Sequence, residues 1–249
     1  MATPILEIKA LQKRFAGLVA TNDLSLDVMA GETHAVIGPN GAGKTTLIAQ
    51  LQGELSPDGG AIFFNGKNIT REPAHRRAHL GIARSFQITS IFPQFTVLAN
   101  VALAVQAQQG HSFRFFGSAW DDSELLGPAR EAMDQIGIAH RADIYAEDLS
   151  HGERRQLELA MALAMKPQLL LLDEPMAGMG RQEGQRMTQV LANLKKHYAI
   201  LLVEHDMDAV FALADRISVL VAGRTIATGS PEEIRNDPAV KAAYLGHGG

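Results

Sequence analysis

The chain has 249 residues, 46% of them hydrophobic, which is enough for a sizeable core and fits one large α/β domain with an inserted subdomain. Its net charge of −4, with no basic stripe, argues against a nucleic-acid partner. The absence of cysteine excludes disulfides and thiolate metal sites.

The start of the chain, residues 1–5, lacks a basic segment followed by an apolar stretch, so no signal peptide is predicted. No apolar run reaches membrane-spanning length. We therefore expect a soluble, cytosolic chain that contacts a membrane only through a partner. Arg76, Arg77 and Arg84 form a small basic cluster, which predicts an ordinary solvated face.

The first predicted elements are short strands. Residues 5–9 alternate weakly, as an edge strand would, and apolar residues at spacing two predict a strand over 24–28. A short buried strand over 34–37 precedes a helix that begins at Thr45. A further strand over 61–64 is closed by the turn at 65–66. These strands predict a small antiparallel sheet beside the main one.

The pattern changes near residue 88, where apolar residues begin to recur at helical spacing: Ala129, Met133 and Ile136, then Leu157, Met161 and Ala164. After this stretch, strands and helices alternate: strand 169–172, helix 182–196, strand 200–203, helix 206–214, strand 217–221, strand 225–228 and a helix start at 230–233. The alternation predicts a parallel sheet with crossover helices. We thus expect a single domain over 1–249. Its core is residues 1–87 and 167–249, and its helical subdomain covers about 88–166.

A glycine-rich loop lies between a predicted strand and a predicted helix, and it consists of Gly38, Pro39, Asn40, Gly41, Ala42, Gly43, Lys44, Thr45 and Thr46. Glycines let backbone N–H groups turn toward phosphates, and the helix adds the positive end of its dipole. Lys44 is placed to reach the β and γ phosphates, and Thr45 to ligate Mg2+. The alternative is a chance glycine-rich turn, but every fixed position is filled in the right context. The loop therefore predicts nucleoside triphosphate binding.

Two acids, Asp173 and Glu174, follow the run Leu169–Leu172. Both carboxylates should emerge at the carboxyl end of a strand, where ligands collect in open α/β sheets. One can hold Mg2+ through water, and the other can orient and deprotonate an attacking water. Paired acids at strand ends also occur as solvated turns, but their place after a phosphate loop favours a site.

A third motif, which we call the signature, lies between these two, and its residues are Leu149, Ser150, His151, Gly152 and Glu153. The three motifs in this order resemble the ATP-binding-cassette ATPases, over essentially the whole chain. The resemblance implies an α/β fold: a P-loop NTPase core with a mainly parallel sheet, an antiparallel β subdomain and a helical insertion. It also implies a catalytic site shared between two subunits, in which one chain brings the phosphate loop and the other the Leu-Ser-x-Gly segment.

The resemblance assigns roles to single residues. Lys44 and Thr45 would bind phosphate and Mg2+. Asp173 would be the Mg2+ acid and Glu174 the catalytic base. The implied cofactors are therefore ATP and Mg2+.

Three further positions match the family. Gln87 matches the glutamine that senses Mg2+ and the attacking water, and His205 matches the switch histidine, which contacts the γ-phosphate. Ser150 and Gly152 match residues that complete the partner's site. Each has a structural alternative, since a lone Gln87 is usually a surface residue and His205 caps a strand ahead of a helix. Ser150 and Glu153 form a capping box, which is compatible with function because a capped helix start can face a neighbour's phosphate.

Phe15 matches the aromatic residue that stacks on adenine near the first strand. Core packing is the alternative, and nothing local in the sequence distinguishes the two. Stacking contributes about 0.5–1.5 kcal/mol beyond area burial, so base selectivity is expected to be loose.

Three residues depart from the family pattern. His151 stands where glycine is usual, Glu153 where glutamine is usual, and Gly180 where aspartate is usual. The last position normally contacts across the dimer, so communication between the two sites is expected to differ. None of the departures touches the phosphate-loop lysine, the catalytic acid or the switch histidine, so hydrolysis is expected to survive.

Finer resemblance points to one branch of the family. Segments 13–18, 83–87, 203–207 and 229–236 look like the ATPase subunits of high-affinity branched-chain amino acid importers, and the segment 244–246 fits as well. Urea importers are similar, and their signature can also read Leu-Ser-His-Gly. The solute is thus an amino acid, urea or a related small molecule.

The implied partners are a second ATPase subunit, identical or paralogous, transmembrane permease subunits and, indirectly, a periplasmic solute-binding protein. The chain would sit on the cytoplasmic side of the inner membrane. A lipid exporter is an alternative. A soluble cassette ATPase of translation or DNA repair fits less well, because the chain has one cassette and the interval from Gln87 to Ser150 lacks sustained heptads.

Aromatic residues after Gln87 suggest a docking surface. Phe92 and Phe95 follow it closely, and segment 111–120 holds three phenylalanines and the only tryptophan. These residues could form a satellite core under a loop. We favour a groove near Ile91, Phe92 and Phe95 that receives permease helices, with 111–120 supporting its rim.

Overall fold

The strands of the protein form two sheets. The computed structural model describes residues 3–85, 91–109 and 123–245. A four-stranded antiparallel sheet has the order β2-β1-β4-β5, with β1 Leu6–Phe15, β2 Leu18–Val28, β4 Gly59–Phe64 and β5 Lys67–Asn68. This is the small antiparallel sheet that the early strands predict.

The second sheet has six strands in the order β10-β9-β3-β8-β7-β6. Their bounds are β3 Thr33–Ile37, β6 Ile82–Ser85, β7 Leu169–Asp173, β8 Ala199–Val203, β9 Arg216–Val221 and β10 Arg224–Gly229. Neighbours from β9 to β6 run parallel, and β10 runs antiparallel to β9. The carboxyl ends of β3, β7 and β8 therefore meet at one edge, directly before the phosphate loop, the acid pair and the histidine segment.

Helices cover this sheet, and their bounds are α1 Lys44–Gln52, α2 Ala74–Leu80, α3 Val97–Gln109, α4 Ser123–Ile136, α5 His151–Ala164, α6 Arg181–Leu194, α7 Met207–Leu213, α8 Pro231–Asn236 and α9 Pro238–Leu245. Helices α3, α4 and α5 pack against one another within the predicted helical region. Helices α6 and α7 make the crossovers between parallel strands. The predicted α/β fold class is confirmed. In the described ranges no helix is long and apolar enough to span a bilayer.

The parallel sheet separates two cores. Alternate residues of β7 face opposite sides, so Leu169 and Leu171 pack toward α1 and the antiparallel sheet, while Leu170 and Leu172 pack toward helices α3 to α7. Both sides are buried, which explains why β7 is an unbroken apolar run and not an alternating one. Packing on both faces of β7 fixes the position of the acids that follow its leucines.

The prediction that the first strand lies at a sheet edge is wrong. Strand β1 pairs with β2 on one side and with β4 on the other, and it continues to Phe15. Its weak alternation reflects which face packs on the core, where Leu6, Ile8 and Leu11 are buried. Side-chain alternation carries no information about the hydrogen-bonding edges of a strand.

The predicted solvated arginine face is also wrong for two of its three members. Arg76 is exposed, but Arg77 is only 2% exposed, and its guanidinium donates to the carbonyl oxygens of Gln50, Leu51, Thr70 and Glu72. Two of these carbonyls lie in the last turn of α1, where helix carbonyls lack intrahelical partners. Burial lowers the pKa of Arg77 to about 10. Arg84 is buried as well, and it pairs with Asp173 at the sheet edge and with Glu54 after α1.

Candidate functional site

The phosphate loop connects β3 to α1 as the sequence predicts. Gly43 caps the helix with φ near 102°, and no side chain bonds to the first helical N–H groups. A Cβ at Gly43 would lie 2.2 Å from the carbonyl oxygen of Ala20, so only glycine fits there. The helix start therefore presents backbone donors and a positive dipole end to an anion.

Lys44 is buried at the first position of α1, where the loop ends. Its Nζ donates to the carbonyl oxygens of Gly38 at 2.7 Å and Pro39 at 3.1 Å. Burial lowers the pKa of Lys44, while the charges of Glu174 and Asp173 oppose that shift. The ammonium group is thus held over the loop, within the electrostatic field of both acids.

The loop and one of the acids share a groove of about 220 Å³. Its lining residues are Leu18, Ala20, Asn40, Gly41, Ala42, Gly43, Lys44, Thr45, Thr46 and Glu174. The structure therefore brings the predicted phosphate-binding residues together with the predicted catalytic base. Leu18 and Ala20, on β2, were missed from the sequence. Leu18 is 65% exposed, and an exposed leucine is a weak signal on its own.

A hairpin turn joins the two sheets beside this groove. The N–H of Gly223, between β9 and β10, donates to the carbonyl oxygen of Ala42 at 2.9 Å. The carbonyl oxygen of Gly223 accepts from the N–H of Asn22, on β2, also at 2.9 Å. One residue is therefore hydrogen-bonded both to the phosphate loop and to the antiparallel sheet.

Phe15 is 46% exposed, so the core-packing alternative does not hold. It pairs with Leu18 across the turn between β1 and β2, next to the groove. The Nζ of Lys13 lies 5.7 Å from its ring centroid. An exposed aromatic beside a nucleotide groove is available for stacking, which remains a prediction.

Replacing Phe15 with alanine is expected to weaken ATP binding by roughly 2- to 10-fold, because one stacking contact is lost. Equilibrium binding of ATP and GTP measures the effect, and the preference between them should stay shallow. Phe63→Ala is a matched control, since Phe63 also has a lysine over its ring but lies on β4. Equal affinity of Phe15→Ala and the wild type for ATP would remove Phe15 from the site.

Asp173 ends β7 at the sheet edge, and Arg84 holds it. Its Oδ2 lies 3.1 Å from an Nη atom of Arg84, and both side chains are almost fully buried. A second Nη of Arg84 pairs with Glu54 at 3.0 Å. Burial raises the pKa of Asp173, and the Arg84 charge opposes this. The predicted solvated arginine is thus an internal ion-pair partner of the predicted metal acid.

Glu174 has φ near +51°, a left-handed conformation that is uncommon for residues other than glycine. Its N–H donates to the carbonyl oxygen of Val203 at 2.8 Å, which ties it to β8. Its carboxylate is 43% exposed, and its Oε1 lies 3.9 Å from Nδ1 of His205. The strand order therefore places the predicted base beside the predicted switch histidine.

The signature motif opens α5, and the predicted capping box is confirmed. Ser150 Oγ accepts from the N–H of Glu153, and the Glu153 carboxylate accepts from the N–H of Ser150 at 2.9 Å. Glu153 also pairs with Arg141 at 2.6 Å. His151 Nε2 lies 3.3 Å from the carbonyl oxygen of Ala177. His151, which departs from the family pattern, therefore contacts the loop that leads to Gly180, which departs from it as well.

The signature lies in a different cleft from the phosphate loop. A pocket of about 230 Å³ is lined by Arg141, Ser150, Gly152, Glu153, Gln156, Met179, Glu183, Arg186 and Met187. None of these residues lines the groove of the phosphate loop. Gln87, the remaining predicted site residue, lies outside the described residues.

A phosphate-binding loop that faces an acid pair and a histidine at one sheet edge is the arrangement of an enzyme that binds and hydrolyses ATP. Residues 21–177 match the model of the ABC transporter family, and residues 224–249 match that of the branched-chain amino acid ATP-binding cassette transporters. The chain belongs to the ABC transporter family, as an ATPase.

Named proteins of this family are similar to the chain over nearly its whole length. The high-affinity branched-chain amino acid transport ATP-binding protein LivG of Salmonella typhimurium is 39% identical, over 99% of each chain. The lipopolysaccharide export system ATP-binding protein LptB of Haemophilus influenzae is 33% identical, over 97% of each. A nucleotide-free ATP-binding cassette from an ABC transporter superposes with a TM-score of 0.85 at 30% identity, covering 97% of this chain and 99% of that one.

Proposed function

We propose that the chain is the ATP-hydrolysing subunit of an importer for branched-chain or related amino acids. The observation that carries this is the match of residues 224–249 to the branched-chain amino acid cassette model, beside full-length similarity to LivG. The matched segment contains β10, α8 and α9, which lie outside the nucleotide site. It therefore distinguishes branches of the family in a way that the nucleotide motifs do not.

The catalytic site is completed by a second ATPase subunit, identical or paralogous. On one chain the phosphate loop and the signature line separate clefts, so neither cleft holds both. The start of α5 is capped by Ser150, and such a helix start favours an anion. We propose that ATP binds between the phosphate loop of one chain and Ser150 to Glu153 of the other. Binding closes the dimer, and hydrolysis reopens it.

Mg2+ fits the oxygen donors at the sheet edge. In the part of the chain that the structure describes, no group of three or more His, Asp or Glu residues is arranged to hold a metal ion. Mg2+ needs no such cluster, because it binds through one or two protein oxygens, nucleotide phosphates and waters. The Thr45 hydroxyl and the Asp173 carboxylate would hold it, with Gln87 as a further contact. When bound, the ion neutralises phosphate charge.

The remaining steps belong to side chains of this chain. Lys44 binds the terminal phosphates from the loop. Glu174, exposed toward the groove, orients the attacking water and accepts its proton. His205, whose ring is next to Glu174, contacts the γ-phosphate. These roles rest on position at one sheet edge and on the family motifs.

We propose that membrane permeases dock on an aromatic patch formed by Phe92, Phe95, Ile144 and Tyr145. Ile91, which the sequence grouped with Phe92 and Phe95, instead packs partly buried against the core. All four side chains are exposed, between 36% and 52%, and the rings of Phe92 and Phe95 stack with centroids 5.4 Å apart. The segment with Phe92 and Phe95 is joined to the segment with Ile144 and Tyr145 by a backbone hydrogen bond. In this bond the N–H of Ala146 donates to the carbonyl oxygen of Phe95. Contiguous exposed apolar surface of this kind tends to mark a partner site.

A buried side chain is hydrogen-bonded to the loop that carries Phe92 and Phe95. Asn100 is fully buried, and its Oδ1 accepts from the N–H of Phe92 at 2.7 Å. Its Nδ2 donates to the carbonyl oxygens of Phe92, Phe95 and Thr96. The part of the aromatic patch that contains Phe92 and Phe95 is thus held in place by hydrogen bonds within the chain. Segment 111–120, the predicted rim, lies outside the described residues.

Replacing Phe92 with alanine is expected to leave ATP hydrolysis by the isolated chain unchanged and to uncouple transport in the assembled importer by about 10-fold or more, because aromatic anchors dominate interface energies. Uptake per ATP hydrolysed measures coupling. Ile226→Ala is the control, since Ile226 is equally apolar and 40% exposed but lies on β10. Normal transport by Phe92→Ala, with no crosslink from a cysteine at 92 to a permease, would place the docking surface elsewhere.

Transport itself tests the proposed solute. The chain, its permeases and the periplasmic binding protein are reconstituted in liposomes with ATP on the side that corresponds to the cytoplasm. Labelled leucine, urea and a lipid substrate are compared. Leucine uptake driven by ATP is the expected result. Uptake of urea alone assigns the chain to a urea importer, and ATP-driven lipid extraction assigns it to an exporter of the LptB type.

A further inference from the structure

Glu204 is a buried acid that the proposed mechanism does not use. It follows β8, directly before His205, and none of its side-chain surface is exposed. A buried carboxylate is tolerated only when hydrogen bonds replace its lost hydration. The molecule supplies these bonds from the backbone, and from two separate segments.

The two oxygens of Glu204 bind different parts of the chain. Oε1 accepts from the N–H of Met176 at 3.0 Å. Oε2 accepts from the N–H groups of His205 at 2.8 Å and Asp206 at 3.2 Å, and lies 3.5 Å from Nδ1 of the His205 ring. One carboxylate therefore connects the loop after the acid pair to the histidine segment.

This connection lies next to a strained residue. Glu174 is two residues before Met176 and has φ near +51°. Backbone conformations of this type persist at functional sites only when the surrounding structure holds them. Two bonds hold this loop to β8 and its end: Glu174 N–H to the Val203 carbonyl, and Met176 N–H to Glu204.

We infer that Glu204 is a positioning residue for ATP hydrolysis, which fixes the carboxylate of Glu174 and the ring of His205 relative to each other through the backbone N–H groups of Met176 and His205. It contacts no reacting atom. The inference rests on the proposed roles of Glu174 and His205. A purely structural buried acid would stabilise the fold without affecting turnover.

Glu204→Gln in the full-length chain separates these possibilities. The amide keeps one acceptor oxygen and replaces the other with an NH2 group, so one of the two segments loses its acceptor. We expect kcat to fall on the order of 10- to 100-fold, since small misplacements of reacting groups have effects of that size. KM for ATP should stay within about threefold, because the nucleotide contacts are retained.

Glu32→Gln is the matched control. Glu32 is also a largely buried acid that accepts from a backbone N–H, that of Met29 at 2.7 Å, and it pairs with Arg216. It precedes β3, at the end of the sheet opposite the phosphate loop. This variant should lower the melting temperature and leave kcat unchanged. Should Glu204→Gln fail to fold, Glu204→Asp decides, since its shorter stem cannot bridge both segments.

A second measurement combines Glu204→Gln with His205→Ala. Residues that act as a unit have non-additive effects on kcat, so Glu204→Gln should cost far less in this background than alone. Wild-type kcat in the folded Glu204 variant, or full additivity with His205→Ala, overturns the inference. Glu174→Gln is assayed in parallel. If it retains turnover, the proposed site is wrong; if it is inactive while the Glu204 variant is normal, only the positioning role fails.

Discussion

Replacing Glu174 with glutamine is expected to leave ATP binding intact and to slow hydrolysis by about 100- to 10,000-fold, the usual cost of losing a general base. The amide has the same shape as the carboxylate, and the backbone bond from residue 174 to the Val203 carbonyl is kept. The change therefore removes proton acceptance and little else. Steady-state turnover measures the loss, and gel filtration with ATP should show an accumulated closed dimer.

An exposed acid provides the control for this experiment. Glu232 lies in the first turn of α8, away from the sheet edge, and Glu232→Gln should hydrolyse ATP at the wild-type rate. Near-normal turnover in Glu174→Gln would contradict the assignment of Glu174 as the general base. His205, which lies beside it, would then be the next candidate for that role.

Lys44→Ala and Ser150→Arg are each expected to abolish ATPase activity when every subunit carries the change. A mixture of the two proteins should regain activity, because a mixed dimer pairs one intact phosphate loop with one intact signature. In a random mixture half of the dimers are mixed, and roughly a quarter of all sites are complete. Turnover is measured across mixing ratios and should peak near equal amounts.

Ser150 also caps α5, so its folding role needs a separate variant. Ser150→Ala loses the cap, worth about 1 kcal/mol, without placing a cation at the interface. It should lower stability and retain more activity than Ser150→Arg. Absence of recovery at every ratio argues for sites within one chain, or for two sites that must act together. ATP-induced dimerisation of the mixture separates these, since only shared sites restore it.

Local motifs made the nucleotide site predictable. The phosphate loop, the acid pair and the capping box of Ser150 each lie within a few consecutive residues, so the sequence contains the whole pattern. Strand order then brings the phosphate loop and the acid pair to one edge, which follows from the alternation of strands and helices, while Ser150 lines a separate cleft. The structure places Lys44 and Glu174 in one groove, as the motifs predict.

Contacts between distant residues could not be predicted in this way. Arg84 and Asp173 are 89 positions apart in the sequence. A basic residue near two others is predicted to be exposed when its distant acidic partner is not known. Arg77 binds backbone carbonyl oxygens, and because every residue has one, the sequence does not show which of them are its partners. Glu204 and Met176 are joined by a backbone N–H that any residue except proline would supply. The short elements α2, β6 and α9 are too brief to show a periodic pattern.

The turn at Gly223 has a consequence for nucleotide choice. Its two hydrogen bonds fix how far β2, which carries Leu18, stands from the phosphate loop. A nucleotide bound in the groove must span this fixed distance between β2 and the phosphate loop, with its base at one end and its terminal phosphates at the other. A single exposed aromatic residue distinguishes bases weakly, whereas a fixed distance strongly distinguishes nucleotides whose phosphate chains differ in length. Discrimination by this protein is therefore expected to depend more on the number of phosphates than on which base they carry.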